Sequence, residues 1–295
     1  MLDILTSIII AGLTTGALYA LATVGLSLVW GSMGMLNMAH AAMLTLGGYA
    51  AFSLSSALGL PAVVGFAGAV LAGAIAGGLL YVFIVRNLLN NDKATFESNV
   101  MIATVGIGIA LENAILLTFG GQPLKQPISA TGSLIIGPVN LPYQNMLIVI
   151  VVIALMALVA LLLARTRIGR AIRATAQNRE AAQLMGVAVN RVYFQVLVLS
   201  GALAGVCGVM VSSMTQLSPP LGNDPMLKAF IMCVVAGLGN LPGAVAAAFG
   251  LALLEAFVQY AAGARWGFPS LLFVVIAVLI WRPAGLFGRA QIRRM

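Results

Sequence analysis

Charge is what this sequence has least of. Of its 295 residues, 7% are Asp, Glu, Lys or Arg, while 61% are hydrophobic. An ordinary soluble domain carries roughly 25% charged residues. So few charges cannot cover a water-exposed surface, so most of the surface must face lipid. No charged residue occurs between Asp3 and Arg86, and none from Val192 to Asn223. Histidine is almost missing as well. His40 stands alone, which excludes a histidine-based zinc cluster. Cysteine is limited to Cys207 and Cys233, both in apolar segments, where they read as small buried hydrophobes rather than a disulfide or metal site. There is no G-x-x-x-x-G-K-[ST] loop to hold ATP and no G-x-S-x-G elbow. The expectation is therefore a protein that is not an enzyme, with no catalytic residues, no metal and no cofactor of its own. A nucleotide-driven process would need a separate ATPase. The start, Met1-Leu2-Asp3, lacks the basic region of a cleavable signal peptide.

What the chain does have is long apolar sequence. About 20 apolar residues cross a hydrocarbon core of about 30 Å as a helix. Lipid leaves the backbone no water to bond, so a spanning segment is a helix or part of a closed barrel. Continuous apolar runs favour helices over the alternating pattern of a barrel. Spanning segments are read at 4–30, 38–58, 62–85, 99–119, 145–164, 193–217, 227–239, 244–261 and 269–281. The run Leu227–Val235 reads as apolar. Polar loops are read at 86–97, with Arg86, Asp92, Lys93 and Glu97, and at 120–143. The predicted fold is all-α: a polytopic transmembrane helix bundle in one domain over residues 1–295. It has about eight to nine spanning segments, with room for a re-entrant or broken helix among the short ones near the C-terminus.

The net charge of +8 does not point to nucleic acid. Its positive residues sit in a few short loops, where Lys and Arg set orientation. Arg165 to Arg191 holds six arginines and one glutamate, and the tail carries Arg282, Arg289, Arg293 and Arg294. Both stretches are predicted to be cytoplasmic and the N-terminus external. The basic stretch also attracts anionic lipid. Beyond its charge, residues 172–187 have helical propensity with small residues at Ala171, Ala174, Ala181 and Ala182. This predicts a short helix between crossings, shaped to dock on another protein.

Small residues recur at packing distance: Gly12 with Gly16, Gly73 with Gly77, Gly201 with Gly205. That spacing lets helix backbones approach closely in lipid. Ionisable groups inside the membrane are costly and mark candidate sites. Glu112 and Glu255 are such groups, and Asn37 and His40 lie in an apolar context. Two readings stand for each: lining a substrate path, or holding helices together. Two breaks rich in Gly, Asn or Pro, at 31–37 and 237–243, read either as half-helix ends facing a cavity or as plain turns.

Four motifs carry a family resemblance. Glu180-Ala181-Ala182-x3-Gly186 resembles the EAA loop of ABC importer permeases. It lacks the proline that the family pattern has near Val196–Leu199. Gly12-Leu13-x2-Gly16-x2-Tyr19-Ala20-Leu21-x3-Gly25-Leu26-x-Leu28-x2-Gly31, followed by Asn37-x-Ala39-His40, is similar to the first helices of branched-chain amino acid permeases. Ala41 stands there where family members commonly have Gly. Arg167-x-Gly169-x-Ala171-x-Arg173-Ala174-x3-Asn178 and Gly237-Leu238-Gly239-Asn240-Leu241-Pro242-Gly243-Ala244 resemble two further signatures, in the right order. The chain is identified as a member of that family, most similar in length to the shorter permease subunit.

The resemblance implies a permease paired with a second homologous permease, two ABC ATPase subunits that bind ATP, and a periplasmic substrate-binding protein. The location would be the bacterial cell inner membrane. The implied coupling residues are Arg170, Arg173, Asn178, Glu180, Ala181, Ala182 and Gly186, within a loop at 165–191. The expected substrate pathway uses Asn37, His40, Glu112, Glu255, Gly237, Gly239 and Asn240. The expected cargo is a branched-chain or related small amino acid. Urea, short amides and other small carboxylates are alternatives within the family. A stand-alone secondary transporter is the rival class, and it leaves the basic helical loop without a purpose.

Overall fold

The computed structural model describes residues 2–89, 93–128, 130–136 and 139–288. Asp92 and the tail arginines Arg289, Arg293 and Arg294 lie outside them. The elements in order are α1 (Leu2–Met33), α2 (His40–Phe52), α3 (Ala62–Leu80), α4 (Arg86–Leu88), α5 (Lys93–Phe119), β1 (Ser133–Ile136), β2 (Val139–Pro142), α6 (Tyr143–Arg165), α7 (Arg167–Gln177), α8 (Arg179–Leu184), α9 (Val189–Met214), α10 (Asn223–Ala236), α11 (Leu241–Ala262) and α12 (Gly267–Trp281). The architecture is an all-α polytopic bundle. Seven of the described helices are long and apolar enough to cross a membrane.

About eight to nine segments were expected to cross, and of the stretches read, those of α2 and α10 are not among these seven. Helix α2 carries His40 at its start and loosens into a π-helical turn at Ser53–Ala57. Helix α10 has 14 residues. At 1.5 Å per residue it covers about 21 Å, short of a hydrocarbon core of about 30 Å. Protein makes up for the missing length. The Gly222 N–H ahead of α10 donates to Thr45 Oγ1 of α2 at 3.0 Å. At the other end, Leu286 N–H donates to Val235 O at 2.8 Å and Phe287 N–H to Ala236 O at 3.0 Å. Irregular backbone at membrane depth is tolerated where protein satisfies it.

The core is built on α1, α2, α3 and α9, and α9 is buried over most of its length. The small-residue spacings explain why. A methyl on Gly73 would land on the Gly201 carbonyl, one on Gly201 on the Gly73 carbonyl, and one on Gly77 on the Leu197 carbonyl. Gly205 meets Ala69 of α3 in the same way. Gly12 and Gly16 of α1 face Leu253 and Phe249 of α11. The packing reading of these pairs therefore holds, because only residues without a large side chain permit this approach. The outer surface is apolar, with Phe83, Leu117, Phe273 and Ile280 exposed, as a lipid-facing belt requires.

The stretch 120–143 is more ordered than expected. β1 and β2 pair antiparallel there, with Leu134 opposite Leu141. Leu124 bridges Leu217, and Gln126 donates to Gly48 O at 3.1 Å and Ser212 Oγ at 3.0 Å. The loop is thus anchored to α2 and α9.

Candidate functional site

The arginine-rich loop folds as two helices, not the single short helix expected. Asn178 is the reason. It leaves helical geometry at φ −157°, ψ 110°, and its Oδ1 accepts the Ala181 N–H at 3.0 Å. An Asn at this position satisfies one of the backbone amides left open at a helix start. Thr166 starts α7 in the same way, accepting the Gly169 N–H at 3.0 Å. Gly169 sits so close to α6 that a methyl there would meet the Leu162 and Leu163 carbonyls. Helix α7 buries Gly169, Ile172 and Thr175 and turns Arg170 and Arg173 outward.

Helix α8 presents Glu180 and Ala181 outward and buries Ala182. It ends in a Schellman turn: Gly186 N–H donates to Gln183 O and Val187 N–H to Ala182 O, both at 3.0 Å. Gly186 has φ +84° with open space around its α-carbon, so this glycine is required by conformation rather than by crowding. Leu184 and Met185 stand out at 88% and 85% exposure. The sequence reading passed over this pair, although two apolar residues directly before a capping glycine are a signal for it. Arg179 stacks over the Tyr193 ring of α9 at 5.6 Å.

The two pathway candidates near the first break are fully buried. Asn37 Oδ1 accepts the Ala39 N–H at 3.1 Å and shapes the entry to α2. Beside it, Met38 N–H donates to Thr104 Oγ1 of α5 at 3.1 Å. The His40 ring lies on Gly25 of α1, where an added methyl would come within 2.9 Å of Cε1. Neither ring nitrogen forms a well-aligned hydrogen bond among the described residues, although the Ala22 main chain is close enough to act on the ring. Ser200 Oγ of α9 donates to Gly25 O at 2.8 Å. His40 thus occupies the crossing of α1, α2 and α9.

The second break lies against the end of the same helix, α1. A methyl on Gly31 would be 3.2 Å from Gly239 Cα. Gly237 and Gly239 take φ +97° and +85°, and Asn240 caps α11 by accepting the Gly243 N–H at 3.0 Å. Its Nδ2 donates to Phe287 O at 2.8 Å.

The two carboxylates are joined through α10. Glu112 is half-buried and accepts from Asn223 Nδ2 at 3.5 Å. Glu255 is buried, and its partner was missed: the run read as apolar at 227–235 contains Lys228. Lys228 Nζ lies 3.1 Å from Glu255 Oε1 and 3.2 Å from Asp224 Oδ2. It also donates to Tyr19 OH at 2.8 Å, and Tyr19 OH donates to Glu255 Oε2 at 2.9 Å. Gln259 completes the group at 3.3 Å. A charge buried this way persists when it is paired and hydrogen-bonded. One lysine inside a hydrophobic run is itself the signal that the average hid. Among the described residues, no three His, Cys, Asp or Glu gather to hold a metal.

The family profile described as branched-chain amino acid transport system / permease component matches residues 8–281. The chain is 29% identical to the high-affinity branched-chain amino acid transport system permease protein BraD of Pseudomonas aeruginosa, covering 97% of each chain. It is 28% identical to the permease protein LivH of Escherichia coli over 96% of each. A probable LivH of Methanocaldococcus jannaschii is 27% identical over 92% of this chain and 89% of its own. With its bundle of apolar helices and this near full-length match, the chain belongs to the branched-chain amino acid transport system permease family.

Proposed function

We propose that this chain is the pore-forming subunit of an ATP-driven importer for branched-chain or related small amino acids. It would sit in the bacterial inner membrane with a second permease, two ATPase subunits and a periplasmic binding protein. ATP would be bound by the partners and no chemistry done by this chain. The observation that carries the reading is the α7–α8 hairpin. It is held rigid by caps at Thr166, Asn178 and Gly186, and it projects Leu184 and Met185 bare. An exposed apolar knob on a capped hairpin fits a groove on a soluble partner.

The hairpin leads directly into α9, which is buried over most of its length and packs on α2 and α3. A push on α8 would therefore travel as a rigid-body motion of α9 into the core. The apolar character of the bundle suits cargo with an aliphatic side chain, and the Glu112, Asn223, Asp224 and Lys228 groups supply polar contacts near α10.

The test is reconstitution in vesicles with the candidate ATPases and binding protein from the same source. Leu184→Asp/Met185→Asp should abolish ATPase association and ATP-dependent leucine uptake while the bundle still folds. Leucine uptake that persists without ATPase or ATP overturns the reading in favour of a stand-alone transporter.

A further inference from the structure

A cavity of about 400 Å³ lies between α2, α3 and α5. Met43 of α2 lines its base, Ala72, Ala76 and Phe83 of α3 one side, and Ile107 and Leu111 of α5 the other. Every lining side chain is apolar. Both α3 and α5 are long and apolar enough to cross a membrane. The cavity opens sideways from the bundle: Met43 is 1% exposed, while Phe83 at the rim is 68% exposed. Its origin is local. Helix α5 is pinned to α2, where Met38 N–H donates to Thr104 Oγ1 at 3.1 Å. Ala72 and Ala76 are too short to fill the space left on the α3 side.

Length and position say what fills it. From Ala72 to Phe83 the helix rises about 16 Å. That is about half of a hydrocarbon core of about 30 Å, the depth of one leaflet. Arg86 begins α4 one turn beyond Phe83 and is exposed. It makes no ion pair among the described residues. It is also the first charged residue after Asp3, so it marks where the apolar run meets the headgroups. A basic residue at that level attracts anionic lipid, and a guanidinium matches the geometry of a phosphate. Between the rim and Arg86 the helix widens into a π-helical turn at Tyr81–Val85, a distortion frequent at functional sites.

Two other occupants fit less well. A free amino acid would bury its ammonium and carboxylate against walls that offer no partner, which is costly. A helix of a second copy, about 10 Å across, would fill about 1,200 Å³ over the same length, well beyond the space available.

We propose that this cavity binds an anionic phospholipid, with an acyl chain along Ala72–Phe83 and the phosphate at Arg86. The bound chain would fill the gap between α3 and α5 and so hold α5 on the bundle. The site is independent of the transport reading and is tested on this chain alone.

The experiment is native mass spectrometry of the full chain in detergent micelles. The probes are phosphatidylglycerol and phosphatidylcholine with the same acyl chains. One phosphatidylglycerol should bind saturably, about fivefold more tightly than phosphatidylcholine, the effect of one basic residue near an anionic headgroup. Arg86→Gln should remove that preference and keep the weaker binding common to both lipids. Ala76→Phe, which fills the cavity from α3, should weaken both by roughly fivefold or more. Arg265→Gln and Ala277→Phe, at exposed positions outside the cavity, should change neither. Melting temperatures check that each variant folds, and Ala72→Leu is the milder filling if Ala76→Phe does not. The proposal is overturned by the absence of a saturable lipid, by equal affinity for the two lipids, or by a preference that survives Arg86→Gln. Equal losses in the two control variants overturn it as well. So does unchanged lipid binding in Ala76→Phe, and loss of a dimer of the chain in the same spectra would then give the cavity to a second copy.

Discussion

Lys228 of α10 and Glu255 of α11 form an ion pair of 3.1 Å inside the bundle, with side chains 11% and 5% exposed. The two ends of this pair are not equivalent. Without Glu255, Lys228 keeps Asp224 and Tyr19. Without Lys228, Glu255 keeps only neutral partners, Tyr19 and Gln259. Removing one partner of a buried pair costs about 3–5 kcal/mol, because the other charge is stranded. Lys228→Met should therefore lower stability by about that much, and Glu255→Gln by about 1–2 kcal/mol, since its replacement still hydrogen-bonds. The double variant Lys228→Met/Glu255→Met should recover much of the single loss. Unfolding in detergent, followed by thermal melts, checks the order. Equal losses in the two single variants count against this asymmetry.

Gly201 and Gly250 give a paired prediction about packing. A methyl on Gly201 would land on the Gly73 carbonyl, while Gly250 faces open space. Gly201→Ala should force α3 and α9 apart at a cost of about 1–3 kcal/mol. Gly250→Ala removes backbone freedom without a clash and should stabilise by about 0.5–1 kcal/mol. Melting temperatures of the two variants should move in opposite directions.

The parts of this molecule legible in its sequence were those that depend on local composition. The charge-free run from Asp3 to Arg86 marked α1 and α3 as long apolar helices, and the small-residue spacings at Gly73 and Gly201 marked close helix packing, which the structure realises between α3 and α9. The helical propensity around Asn178 favoured one helix, and the split into α7 and α8 rests on the cap that its side chain forms. Lys228 was lost because a single charge barely moves the mean of an apolar window. Its partner Tyr19 is 209 residues away, and no local pattern reports such a contact. The shortness of α10 was also hidden, since it depends on Thr45 and on the 286–287 backbone closing its ends. Glu112 and Glu255 were found as isolated carboxylates, and α10 is what relates them.

Gly186 should act on the hairpin and not on the bundle. Its φ of +84° costs about 1 kcal/mol for a residue with a Cβ. In Gly186→Ala the Schellman turn should loosen, with faster hydrogen exchange across residues 178–187. Exchange in α3 and α9 should stay unchanged, and so should the global melt to within a few tenths of a kcal/mol. Asn178→Ala should give the same local signature by removing the cap on Ala181, at about 1 kcal/mol. If ATPase association depends on the hairpin, both variants should weaken it. A fall in the global melt equal to that of Gly201→Ala would place Gly186 in the core instead.

His40 separates packing from transport most directly. The ring is fully buried on Gly25, at the crossing of α1, α2 and α9. Truncation there removes a large side chain from a closed site, so His40→Ala should cost about 2–4 kcal/mol through the cavity it leaves. A substrate-path residue behaves differently, with uptake kinetics changing while the melt does not. Its complete burial at this crossing supports the packing reading. The loss of uptake should therefore follow the loss of folded protein, with the substrate concentration at half-maximal uptake unchanged. The companion variant Gly25→Ala, which would press a methyl to within 2.9 Å of the ring, should shift the melt in the same direction. Combined with His40→Ala, it should fill part of the cavity and regain stability. A change in half-maximal concentration with an intact melt moves His40 back to the pathway.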